Sequence, residues 1–126
     1  MARNGTTTRF GVDVTELQKG FQDAKTIIAT ANSEFKKATA GMDDWSKSAD
    51  GLTAKINQLT TVEAQEQKKL EILREEYRKI VEAQGENSEG AKQLTIEMNN
   101  QEATLKGVQK QLQNYNSKLE EMTAET

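Results

Sequence analysis

The run Gly85-Glu86-Asn87-Ser88-Glu89-Gly90-Ala91-Lys92 superficially follows the order of a phosphate-binding loop. In such a loop, glycines let backbone amides cradle phosphate and a lysine reaches it. Here the lysine stands one position late, no buried strand precedes it, and Glu86 and Glu89 repel phosphate, so a turn between two helices explains the run better. Asp43, Asp44 and Asp50 offer carboxylates to a divalent cation, but their spacing is not that of a calcium loop, and helix N-capping accounts for them equally well. Glu63 and Glu66 form a carboxylate pair at helical spacing. Acid–base work by such a pair needs a concave pocket, which a thin helical hairpin does not offer. The chain has no cysteine and no histidine, so thiolate chemistry, disulfides and the commonest general base and metal ligand are all missing. The residues therefore point to a protein that is not an enzyme, needs no cofactor or metal, and works by shape and helix contacts. Asn4-Gly5-Thr6 fits a glycosylation sequon, with nothing else that suggests secretion.

The elements that carry these residues follow from composition and spacing. Only 34% of the 126 residues are hydrophobic and 5% aromatic, too little for a thick globular core, while 29% are charged. Proline is absent, and since it costs about 3 kcal/mol inside a helix, long uninterrupted helices are permitted. The 17 basic and 20 acidic residues are interspersed and sum to a net charge of -3, which leaves no basic stripe for nucleic acid. No segment reaches the roughly 18 apolar residues that would span a membrane.

The opening Thr6 to Val12 is β-branched and weakly alternating, and with no second strand in view it reads as an extended or disordered arm over 1–12. Asp13 with Glu16 has the pattern of a capping box. Val14, Leu17, Phe21, Ala24, Ile28, Ala31, Phe35 and Ala38 then fill successive heptad core positions, which predicts a first helix over 13–40. Gly41 to Gly51, rich in Asp and Ser, competes with helix for backbone hydrogen bonds and predicts a turn or hinge; Gly41 suits a C-cap and Asp43 a new N-cap.

A second long helix is predicted over 52–84, with Leu52, Ile56, Leu59, Leu70, Leu73, Tyr77 and Ile80 in its seam. Glu63 and Glu66 interrupt that seam, where leucines would pack against Leu105 and Val108 and raise stability. Thr60 with Glu63 also has the form of a capping box, although the register runs through it. Gly85 to Ser88 is the clearest turn, and a third helix follows over 89–123 with Ala91, Leu94, Met98, Leu105, Val108, Leu112, Tyr115, Leu119 and Met122 in core positions and Gln101 the polar exception. So short a loop predicts antiparallel pairing, with Ile80 near Ala91, Leu73 near Met98, Leu59 near Leu112 and Leu52 near Leu119. The predicted fold is all-α: elongated antiparallel coiled-coil hairpins of two to three long helices with a short extended N-terminal arm.

Candidate contacts with helices of the same or identical chains, or with a partner, are Phe21, Ile28, Phe35, Trp45, Leu70, Leu73, Tyr77, Leu105, Leu112 and Tyr115. Trp45, the only tryptophan, is expected to anchor either the turn or a partner protein.

The run from Asn32 to Leu52, with Phe35-Lys36-Lys37-Ala38-Thr39-Ala40-Gly41-Met42-Asp43-Asp44-Trp45 at its centre, resembles the N-terminal region of tape measure proteins from long-tailed bacteriophages and prophages. Gln84-Gly85-Glu86-Asn87-Ser88-Glu89-Gly90-Ala91 resembles the same family, as does the order of Val12-Asp13-Val14-Thr15-Glu16-Leu17, the tryptophan turn and this second turn. The resemblance implies a rod-like structural protein in the tail lumen that templates tail length during assembly in the cytoplasm of the bacterial host, with tail tube and tail assembly chaperone proteins as partners. The chain is far shorter than the family and lacks its membrane-active and hydrolase segments, so the resemblance points to an N-terminal fragment. From the residues alone, a generic coiled-coil adaptor or chaperone-like binding protein is the alternative.

Overall fold

The computed structural model describes residues 6–124; the sequon asparagine, Asn4, and the first residues of the expected arm lie outside them. The described elements are a two-stranded hairpin, β1 (Thr8–Arg9) and β2 (Val12–Asp13), then helix α1 (Thr15–Thr39), a 3-10 turn (Trp45–Lys47), and helices α2 (Ala49–Gln84) and α3 (Glu89–Ala124). The fold is thus all-α apart from the hairpin. No described helix is long and apolar enough to cross a membrane.

The arm expected to lie extended is instead an antiparallel hairpin pairing Thr8 with Asp13 and Arg9 with Val12. Its partner strand escaped the sequence reading because the turn is only two residues long. Phe10 and Gly11 both take positive φ, at 52° and 77°, the sign that a type I′ turn requires and that matches the twist of the strands it joins. The hairpin also corrects the start of α1. Asp13 does not complete a capping box; its carboxylate accepts from the amide and hydroxyl of Thr15 at 2.9 and 2.6 Å, and the N-cap residue, Val14, has no side-chain cap. These two bonds hold the Asp13 carboxyl below the ordinary carboxylate range.

Helix α1 stops at Thr39, and the turn that follows is the one expected of Gly41 to Gly51. Its capping differs. Asp44, not Asp43, caps the 3-10 turn by accepting from the Ser46 amide at 3.0 Å, and the Ser48 hydroxyl caps α2 by accepting from the Gly51 amide at 2.9 Å, so α2 begins at Ala49 rather than residue 52. Helix α2 then runs 36 residues, about 54 Å, with no break at Thr60, whose hydroxyl donates back to the Ile56 carbonyl at 2.8 Å. It ends at Gly85, which takes φ +94°, a conformation that other L residues rarely adopt. The Ser88 hydroxyl accepts from the Ala91 amide and opens α3, also 36 residues long.

Helix α2 is the spine, because both other helices pack against it. Gln18 meets Glu76 and Asn32 meets Gln58, so α1 runs antiparallel to α2; Ile80 packs with Ala91 and Glu66 bonds Gln101, so α3 does as well. The densest apolar packing lies at the hairpin end, where Leu73, Ile80, Ala91 and Leu94 are buried together under Val12, Phe21, Tyr77, Val81 and Met98. Leu52, Leu59, Leu70, Leu105 and Leu112 extend the seam toward the other end. Surface ion pairs lie along α2 and between α2 and α3, and Arg78 pairs with Glu82 at i to i+4 spacing. Glu75 pairs with Arg78, and Glu102 pairs with Arg74 across the α2–α3 interface, all exposed and of small effect on stability.

Candidate functional site

Three constellations along the rod hold the helices in one arrangement, and each begins from a seven-residue spacing on α2. Lys55, Val62, Lys69 and Glu76 fall at that spacing, which keeps them on one stripe of the helix beside α1. The stripe carries three charges, so an apolar pattern search passes over it.

At the hairpin end, Glu76 is fully buried. The Gln18 side-chain amide donates to its Oε1 at 3.2 Å, and Arg9 lies 3.5 Å from its Oε2. The same Arg9 guanidinium makes a close ion pair with Glu97 of α3, which also accepts from Gln93 at 3.1 Å. Desolvation pushes the Glu76 carboxyl above its ordinary range, and the nearby Glu97 adds to the rise, while Arg9 and Gln18 oppose it. One arginine of the hairpin thereby ties α2 to α3, and Gln18 brings α1 to the same Glu76 carboxylate. It is further seated by the Gln84 side-chain amide, which donates to the Phe10 carbonyl, and by the Phe10 ring lying against Gly90. None of Arg9, Gln18, Glu76 and Glu97 was singled out from sequence.

In mid-rod, Glu66 and Gln101 meet. The Gln101 amide donates to the Glu66 carboxylate at 2.7 Å and to its backbone carbonyl at 2.9 Å, and Lys69 approaches the same carboxylate at 3.1 Å. Two of the three polar residues that interrupted the heptads, Glu66 and Gln101, are therefore each other's partners. Glu63 is only half-buried, so the expectation that both carboxylates are stranded in an apolar seam is corrected: one is partly solvated and the other is satisfied. Lys69 also sits 5.1 Å over the Phe21 ring.

At the far end, Trp45 packs edge-on to Phe35, with centroids 5.1 Å apart, and tilted to Tyr115 at 5.6 Å. The ammonium of Lys55 lies 4.6 Å over Phe35 and 5.5 Å over Trp45, and burial among them lowers its pKa. Trp45 thus joins α1 to α3 across the turn, as the structural anchor among the two expected roles. Of the remaining candidate contacts, Leu70, Leu73, Leu105 and Leu112 are buried, Phe21 and Tyr77 pack on the hairpin-end cluster, and Ile28 is half-buried on α1.

Between α1 and α2 runs an open groove of about 240 Å³ lined by Ala31, Phe35, Ala38, Ala54 and their neighbours; among the described residues Glu34 is its only titratable side chain. Asp44 is engaged by Ser46, and the described residues hold no convergent group of three acidic side chains. The arrangement is suited to holding helices in register. Comparison with known proteins finds no matching family model, no matching curated protein and no matching solved structure.

Proposed function

We propose that this chain is the N-terminal helical segment of a phage or prophage tail tape measure protein, a structural element that contributes a set length to the template on which the tail tube is built. The observation that carries the reading is positional. The two runs that resemble the family coincide with the two chain reversals, at the 3-10 turn and at Gly85 to Ser88, which determine how much axial length the chain occupies. Support also comes from two paired helices of 36 residues, whose rod form suits a tube lumen. On this reading the partners are tail tube and tail assembly chaperone proteins, met in the host cytoplasm during assembly and in the tail lumen afterwards.

Folding back on itself changes the length that such a template transmits. Deleting this segment from the parent gene is expected to shorten the tail by about 55 Å, the length of α2, instead of the roughly 190 Å of 126 residues in one helix. Electron micrographs of mutant tails read the difference. Tails of unaltered length would reject the template role, and complete loss of tails would assign the segment to initiation or docking.

A further inference from the structure

We infer that the N-terminal hairpin is a proton-coupled latch: its closed form over the helix ends holds more bound protons than its open form. The geometry is a mismatch of charge in a closed space. Closing the hairpin brings two carboxylates, Glu76 and Glu97, under one guanidinium, Arg9. Glu76 is fully buried, so its ionised form has no water to stabilise it. The groups facing Glu76 from every side are few. Arg9 comes from the hairpin, Glu97 from α3, and the uncharged Gln18 from α1. On α2 itself its neighbours Ile72, Leu73 and Ile80 are buried and apolar, and Lys79 faces Asp13.

A proton on Glu76 leaves Arg9 and Glu97 as a balanced pair. When the hairpin lifts, Glu76 loses Arg9 but meets water, and because desolvation outweighs Arg9 in the closed form its carboxyl returns toward ordinary acidity. The closed state therefore binds the proton more tightly, and its advantage is present at mildly acid pH and lost as pH rises through the raised value of Glu76. Opening uncovers Ile80, Ala91 and Leu94, the apolar cluster on which Val12 rests. The latch thus controls access to the apolar surface at this end of the rod.

Amide hydrogen exchange on the intact chain tests this. The Val14 amide, which donates to the Thr7 carbonyl at 2.9 Å, reports the hairpin, and the Leu52 amide, bonded to Ser48 in the first turn of α2 at the opposite end, reports a local opening that leaves Glu76 covered. With intrinsic exchange rates corrected for, protection at Val14 is expected to fall several-fold from about pH 5 to about pH 8 while protection at Leu52 holds. In Glu76→Gln, which keeps the shape without the charge, the Val14 protection is expected to be flat with pH. Should Glu76→Gln fold poorly, Glu97→Gln gives the second reading, since one remaining carboxylate balances Arg9 and the slope should shrink. A flat Val14 profile in the native chain, an unchanged slope in the variants, or a fall matched at Leu52 would each overturn the latch.

Discussion

Gly51→Ala is expected to destabilise the protein by about 2 to 3 kcal/mol, lowering the melting temperature by roughly 10 °C, although helix propensity alone favours the change. An alanine in a helix interior is worth about 1 kcal/mol over glycine. At Gly51, however, an added Cβ would stand 2.7 Å from the carbonyl carbon and Cα of Trp45, and closer still to its carbonyl oxygen. These are backbone atoms, which cannot swing away as a side chain tip does. Relief requires moving the 3-10 turn, and Trp45 then loses its places on Phe35 and Tyr115. The steric cost exceeds the propensity gain. Thermal unfolding followed by circular dichroism measures it, and a melting temperature equal to or above the native value would show that the Trp45 turn yields easily and anchors little.

Glu66→Leu alone is expected to cost about 1 to 2 kcal/mol, and Glu66→Leu together with Gln101→Leu to return stability to the native value or above it. In the single variant one N–H of the Gln101 amide keeps the Glu66 backbone carbonyl, while the other loses the carboxylate and is left in an apolar layer. Lys69 loses its partner at the same time. In the double variant the Gln101 amide is removed along with the carboxylate it bonds, two leucines fill the seam, and Lys69 keeps the Phe21 ring as its contact. A coupling energy of about 2 kcal/mol between the two positions is therefore expected from the double-mutant cycle. A single Glu66→Leu variant more stable than native would mean that the pair adds nothing. With the polar layer gone, the α2–α3 register rests on leucines alone, which slide past one another more readily than a hydrogen-bonded pair.

How much of this was legible in the sequence follows from which signals are periodic. The seams of α1 and α3 and the α3-facing side of α2 were readable because Leu, Ile and Ala recur at heptad spacing, and Val14, Ala24, Ala31, Leu52, Leu59, Leu94 and Leu105 are buried as that spacing implies. The turn residues were readable for the same kind of reason, since Gly85 and the Asp and Ser around Trp45 disfavour helix locally. The second stripe of α2 was not readable. Lys55, Lys69 and Glu76 share its spacing but not its polarity, and a charge on a helix reads as solvent-facing unless its partners are known. Those partners are remote in the chain: Arg9 lies 67 residues from Glu76 and 88 from Glu97. The hairpin was missed because two residues per strand fall below any alternation that can be recognised, and of its two turn residues with positive φ, Phe10 and Gly11, only the glycine is of a type that signals a turn in the sequence. Glu66 and Gln101 were each visible as exceptions, but pairing them needed the side-chain reach that carries Glu66 about one turn beyond its expected neighbour, Leu105.

The central claim is that this chain acts through a set, folded-back length. Since the chain has no cysteine, spin labels at Asp50→Cys and Glu121→Cys, both exposed positions at the far end of the rod, report on it without interference. With α2 and α3 packed at the usual 8 to 10 Å between axes, pulsed electron resonance is expected to give a single label separation of roughly 20 to 30 Å. In one continuous helix the same positions would stand about 105 Å apart, and a distance distribution without the short separation would contradict the account.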